Sequence, residues 1–285
     1  MRPGFFHPGI VETVTPSAPS TAKTATGRPV ALVTGAAQRI GREIALELAR
    51  HGFDVAVHYR ASDDAARATV AYAQALGAQA WVFQADLADE AQCRALLPRV
   101  VAQCGQVDAL VNNASRFKYD DVWGFNFDAL EAHARANTGA PIVLARALHA
   151  HLAERDAGGC AVNLLDQKLW NPNPDYFSYT LSKAALEAAT TLLAQALAPR
   201  LRVCGVAPGV TLASGPMTEA EFERARSLTP LARSSEPRDV ARAVRFLIES
   251  PAITGTTLLV DGGQHLQTQP RDVLFLAQQA PTSGA

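Results

Sequence analysis

The chain has 285 residues, 48% hydrophobic and 19% charged, a balance that suits a globular protein and excludes disorder of the whole. Its net charge of -1 and pI near 6.7, with arginines scattered rather than gathered into a stripe, give no field to hold a phosphate backbone, so nucleic acid is not an expected partner. No apolar run approaches membrane-spanning length and the N-terminus lacks the apolar stretch of a signal peptide. The four cysteines stand far apart without a CxxC pair, so buried reduced thiols, no metal and a cytoplasmic location are expected.

Residues 1–27, rich in Pro, Ser, Thr and Ala without periodicity, are expected to form a flexible tail. From Pro29 the pattern changes. The apolar run Val30–Val33 reads as a strand, and Arg42–Arg50 carries apolar residues at helical spacing. Further strands are expected at Val55–Tyr59, Ala80–Gln84, Ala109–Val111, Ala161–Leu165, Arg202–Val206 and Thr257–Val260, with helical patterns between them. This alternation predicts a single α/β domain over residues 28–265, a Rossmann-type doubly wound parallel sheet of about seven strands with helices on both faces.

Between the first strand and the first helix lies Thr34-Gly35-Ala36-Ala37-Gln38-Arg39-Ile40-Gly41. Gly35 permits a tight turn, Gly41 lets helix and strand approach, and the helix N-terminus offers free N–H groups to a pyrophosphate. At the end of the second strand, NAD binders place an acidic residue, whereas this chain has His58-Tyr59-Arg60-Ala61-Ser62. Arg60 and Ser62 suit a 2′-phosphate and favour NADPH; alternatively Arg60 is a solvated charge and Asp63 or Asp64 caps the next helix. Asp86-Leu87 ends the third strand, where a carboxylate could meet an adenine or cap a helix.

Tyr179 and Lys183, four apart in a helix-forming stretch, share one helix face. A nearby ammonium is expected to lower the phenol toward neutrality so that it exchanges a proton with a substrate receiving hydride. Beyond them, Ala207–Ser235 is rich in Pro, Gly and Ser, with a short helix near Glu219–Ser227, and reads as a candidate substrate lid.

TGxxxxIG, Asn112-Asn113-Ala114, Asn137 in an NxxxP context, the Tyr179/Lys183 pair, Pro208-Gly209 and Val260-Asp261-Gly262-Gly263 together resemble the short-chain dehydrogenase/reductase superfamily, from about Arg28 to His265. The resemblance implies an Asn, Ser, Tyr and Lys tetrad, with Asn137 holding a water-mediated proton path. It also implies dinucleotide contacts from Gly35, Ile40, Asn113, Ala114, Ser115, Pro208 and Gly209. Two departures are informative: Arg39 replaces the usual middle glycine, and Asp166 replaces the usual serine. With His58-Tyr59-Arg60 and Ser115-Arg116-Phe117, they resemble pteridine reductases and bacterial dihydromonapterin reductases, which reduce dihydropterins with NADPH.

An ionised carboxylate only accepts hydrogen bonds, so Asp166 would hinder a simple carbonyl reductase unless protonated; beside a tyrosine it can relay a proton to a ring nitrogen. Otherwise it caps a turn. The resemblance implies that Phe117 stacks a pterin against the nicotinamide, that Ser115 and Arg39 bind its polar edge, and that Tyr179 and Asp166 supply protons. Without that role Phe117 packs in the core. Tyr176 lies seven before Lys183, the spacing of enoyl reductases, but Tyr179 fits the continuous helix. Trp170, in a Pro- and Asn-rich loop, could reshape the pocket. Two other readings stand beside the dihydropterin one: a carbonyl or 3-oxoacyl reductase, and a regulator that senses NADPH without turnover. Residues 266–285 are expected to be a tail, disordered or docked on the surface; the resemblance alternatively brings Arg271 to a neighbouring subunit's pocket, within a homotetramer.

Overall fold

Seven apolar segments of four to eight residues lie side by side and all parallel in the computed structural model, which describes residues 27–213 and 217–278. They are β1 (Val30–Val33), β2 (Asp54–Tyr59), β3 (Ala80–Gln84), β4 (Ala109–Asn112), β5 (Gly159–Leu164), β6 (Leu201–Pro208) and β7 (Thr257–Val260), in the order β3-β2-β1-β4-β5-β6-β7. Parallel strands are covered on both faces, and β1, buried at every residue, has the unbroken apolar run this demands. Each expected strand is present, with ends that differ by at most two residues. The tail expected over residues 1–27 lies outside the described residues except for Gly27.

One face of the sheet packs α1 (Arg39–Arg50), α2 (Asp63–Ala75) and α8 (Pro237–Glu249) around Val33, Ile44, Val57 and Val244. The other packs α3 (Glu90–Cys104), α5 (Ala140–Glu154) and α6 (Phe177–Leu197) around Leu32, Leu96, Leu144 and Leu193. α4 (Phe127–Ala134) runs into α5 through a π turn, Arg135–Gly139, that buries Asn137. The four cysteines are free and buried.

After β6 the chain makes the expected excursion, whose helix α7 (Glu219–Ser227) starts at a capping box between Thr218 and Glu221. The segment beyond His265 docks on this same subunit. Its helix α9 (Val273–Gln278) places Leu274 and Ala277 against Phe222 and Ala225 of α7, and Arg224 Nε donates to the Ala277 carbonyl at 3.0 Å. Strand order reverses between β1 and β4, so the loops leaving their carboxyl ends diverge and open a crevice there.

Candidate active site

The crevice is a cleft of about 640 Å³ at the carboxyl edge of the sheet. Its floor is the turn after β1. Gly35 has φ +61, and a methyl group there would press on the Ala114 backbone; one on Gly41 would overlap the Gly35 carbonyl oxygen and the Asn113 amide. Asn113 stitches the turn to β4, its Nδ2 donating to the carbonyls of Thr34 and Gly35 at 2.9 and 3.0 Å. Ala114 N donates to Thr34 Oγ1 at 3.0 Å. α1 begins at Gln38 without a side-chain cap and without an acidic residue in its first turn, which leaves its N–H groups and positive dipole end for an anion. Arg39 holds the left-handed φ of 57° in place of a glycine, and its guanidinium reaches across to the Ala213 carbonyl at 2.9 Å.

Ile40, His58, Tyr59, Arg60, Ser62, Asp86, Leu87, Ser115 and Phe117 also line this cleft. They do different work. His58 is buried, accepts from Gly35 N at 3.1 Å through Nδ1, and donates to the Ala85 carbonyl at 3.1 Å through Nε2. Burial holds its pKa down to about 4, so it stays neutral and fixes the glycine turn. The Tyr59 hydroxyl donates to Asp63 at 2.5 Å, and Asp63 also takes Arg67 Nε at 2.7 Å. Ser62 is the N-cap of α2 with its hydroxyl unused, so neither Asp63 nor Asp64 caps that helix. The exposed Arg60 guanidinium has no hydrogen bond or ion pair among the described residues. Asp86 Oδ1 takes Ala88 N at 3.0 Å, while Asp89 caps α3.

The second part of the site is built on α6. Asp120 anchors the start of this helix, taking Ser178 N at 3.0 Å and Ser178 Oγ at 2.5 Å. Tyr179 then donates to Asp166 Oδ2 at 2.8 Å, and Lys183 Nζ donates to the Leu164 carbonyl at 2.6 Å, 5.8 Å from the centre of the Tyr179 ring. Asp166 also caps its own turn, its Oδ1 taking Lys168 N at 2.9 Å, so one carboxyl both meets the Tyr179 hydroxyl and caps the turn. Asn137 spends its amide on the neighbouring loop and helix: Nδ2 donates to the Arg116 carbonyl and Ser182 Oγ, both at 2.9 Å, and Oδ1 takes Arg116 N at 2.7 Å and faces Ser115 Oγ at 3.2 Å. Pro208 ends β6 and Gly209 follows it, both outside the lining of the cleft, with Gly209 N donating to the Val260 carbonyl at 3.1 Å.

Phe117 joins the two parts. It is 45% exposed rather than packed in the core, lies edge-on to Tyr179 with ring centres 4.7 Å apart, and stacks on Tyr176 at 4.2 Å. Trp170 is 40% exposed and lies at the end of the short turn after Asp166.

The electrostatics reverse one expectation. Burial first, then the Asp166 charge and its hydrogen bond, hold the Tyr179 phenol well above its ordinary pKa instead of lowering it toward neutrality. Burial also pulls the Lys183 ammonium down, to about 8. Burial likewise raises Asp166. A protonated phenol against a carboxyl of raised pKa is a pair arranged to hold and give protons.

A family described as enoyl-(acyl carrier protein) reductase matches residues 35–265, across the glycine turn and the Tyr179/Lys183 helix. The chain belongs to the short-chain dehydrogenase/reductase superfamily. This oxidoreductase is 35% identical over 254 residues to 3-oxoacyl-[acyl-carrier-protein] reductase FabG of Staphylococcus aureus, covering 83% of this chain and 98% of that one. Its fold is similar to that of FolM alternative dihydrofolate reductase 1 from Brucella suis in complex with NADP, with 43% identity, TM-score 0.81 and coverage of 86% and 97%. The Brucella canis protein of the same name, also complexed with NADP, gives 42% identity and TM-score 0.81, covering 86% and 96%.

The short-chain reductase cleft fits a phosphorylated dinucleotide on its own chemistry. The turn has room only for backbone and the uncapped α1 terminus favours a pyrophosphate, while among the described residues the Arg60 guanidinium is unpaired and Arg116 Nε is a buried donor without a partner. Sequence reasoning missed Lys168, Asp175 and Asp120, which hold the loops around Tyr179. Their charged or helix-start partners Asp272, Arg271 and Ser178 lie 104, 96 and 58 residues away, so no local pattern announces them.

Proposed function

We propose that this protein is an NADPH-dependent reductase of dihydropterin- or dihydrofolate-type substrates, and the Asp166 carboxyl accepting the Tyr179 hydroxyl at 2.8 Å carries the reading. The usual serine could donate to a ketone oxygen; a carboxylate here suits a ring with N–H and amino donors and an imine nitrogen that must be protonated. NADPH supplies the hydride when bound. Tyr179 and Asp166 then hold the proton: as C=N becomes CH–NH, the ring carbon takes the hydride and the nitrogen takes a proton from this couple, which solvent reloads.

Phe117 offers a stacking face beside the couple, with Tyr176 backing it, and Ser115 and Arg39 meet the polar edge of the substrate. Asn137 holds the Ser115–Arg116 backbone and α6 in register. Gly35, Ile40, Asn113 and Ala114 cradle the cofactor, with Pro208 and Gly209 beyond them, while Asp86 and Leu87 border its adenine end. Arg60 and Ser62 select the 2′-phosphate. Because the step consumes a proton, kcat/KM is expected to fall with rising pH, and loss of the Lys183 ammonium above about 8 adds to that fall. The likeness to the Brucella dihydrofolate reductases supports this substrate class.

The likeness to the Staphylococcus aureus enzyme favours a second reading, reduction of 3-oxoacyl thioesters. The test is NADPH oxidation with dihydrobiopterin, dihydrofolate and dihydromonapterin beside a ketone and 3-oxoacyl thioester panel. Turnover of a dihydropterin is expected. Turnover confined to ketones or thioesters contradicts the proposal, and tight NADPH binding without turnover on either panel makes the protein a sensor. The proposal includes cytoplasmic residence and a homotetramer, supported by the exposed Leu181 and Leu192 on α6; none of the described helices is long and apolar enough to cross a membrane.

A further inference from the structure

We propose that Arg271 and Asp272, from the C-terminal segment of the same subunit, are positioning residues that clamp the loop between Asp166 and Tyr176 and so set the geometry and charge of the proton couple. The inference rests on the reading of Asp166 and Tyr179 as that couple.

The loop carries two buried charges of opposite sign. Asp175 is 2% exposed and Lys168 is 3% exposed. Arg271 meets Asp175 as a fork, Nε to Oδ2 at 2.8 Å and Nη2 to Oδ1 at 2.8 Å, and Asp272 N adds a bond to Asp175 Oδ2 at 2.7 Å. Lys168 Nζ donates to the Asp175 carbonyl at 2.5 Å and lies 3.4 Å from Asp272 Oδ2. Adjacent residues of one segment thus neutralise both charges. Releasing that segment would strand a buried cation and a buried carboxylate in the loop.

The clamp reaches the couple along two routes. Lys168 N is held by Asp166 Oδ1 at 2.9 Å, so fixing Lys168 fixes the turn that aims the carboxyl. Lys168 Nζ also sits 5.5 Å from the centre of the Tyr176 ring, which stacks on Phe117, which in turn abuts Tyr179. The charged and titratable groups around the couple are Lys183 on α6, Lys168 in its own turn, Asp175 and Tyr176 in the loop, and Arg271 and Asp272. Of these, Asp272 raises the pKa of both Asp166 and Tyr179, whereas Lys168 lowers that of Asp166.

The experiment measures kcat/KM against pH, and NADPH affinity by fluorescence, for the full chain and for Arg271→Ala, Arg271→Lys, Asp272→Asn and Lys168→Met, with whichever substrate is turned over. Arg271→Ala is expected to lower kcat/KM about 10- to 100-fold without changing NADPH affinity, since Arg271 does not line the cleft, and Arg271→Lys to recover only part, because an ammonium cannot form the fork. Asp272→Asn removes a charge that keeps the proton on the couple, so the alkaline fall of kcat/KM moves to lower pH. Lys168→Met moves it to higher pH.

Wild-type kcat/KM in Arg271→Ala, or an alkaline limb that Asp272→Asn leaves in place, would overturn the proposal. Should Arg271→Ala fail to fold, Asp272→Asn decides, because it keeps the shape of the side chain and the backbone bond to Asp175. A fully active Tyr179→Phe variant refutes the couple itself, whereas an inactive Tyr179→Phe beside an unaltered Asp272→Asn refutes only the clamp.

Discussion

His58 illustrates how a residue can brace the glycine turn without presenting a charge to the cleft. Its ring accepts from the Gly35 amide and donates to the Ala85 carbonyl, and the accepting bond needs the neutral form. Below pH 6.5 an unfolded chain would protonate this residue while the folded one would not until about 4, so stability is lost as pH falls through that window, on the order of 3 kcal/mol in all. His58→Asn is expected to flatten the stability profile over that interval, measured by urea unfolding at stepped pH, and to weaken NADPH binding through the loosened turn. Arg60 has the opposite character, an exposed cation with no partner among the described residues. Arg60→Glu is expected to lower kcat/KM for NADPH by about 10- to 100-fold while that for NADH holds or rises, as the loss of a charged hydrogen bond to phosphate requires; the ratio of the two is the readout.

At the scale of elements, the site depends on how closely α1 approaches the loop after β4. A side chain at Gly41 would strike the Gly35 carbonyl and the Asn113 amide, neither of which can move without opening the turn. Gly41→Ala is therefore expected to destabilise the fold by roughly 1–3 kcal/mol in denaturant unfolding and to weaken NADPH binding more than substrate binding. The strands and the glycine turn were legible in the sequence because their cause is local: continuous apolar runs for a sheet covered on both faces, and Gly35 and Gly41 where only backbone fits. The π turn at Arg135–Gly139 was not legible. It is fixed by Asn137 reaching Arg116 and Ser182, 21 and 45 residues away.

Across the whole molecule, Tyr179, Lys183 and Asp166 could be picked from spacing and from a departure from the superfamily pattern, but their electrostatics could not. A Tyr and Lys four apart suggest an acidified phenol, whereas burial and the Asp166 charge raise it, a balance that depends on what encloses the helix. Docking of the C-terminal segment was one of two expectations, but the residues that hold it were hidden, since Asp175 and Arg271 are 96 residues apart and Lys168 and Asp272 are 104 apart. The cleft opens at the strand-order reversal with residues from both sides of it, the proton couple lies on the β5 and α6 side, and Phe117 joins the two. The most direct test of the account is kcat for a dihydropterin in Asp166→Ser, which restores the residue usual in this superfamily. The account predicts a fall of about 100-fold or more with NADPH affinity unchanged; dihydropterin reduction at the wild-type rate in that variant would contradict it.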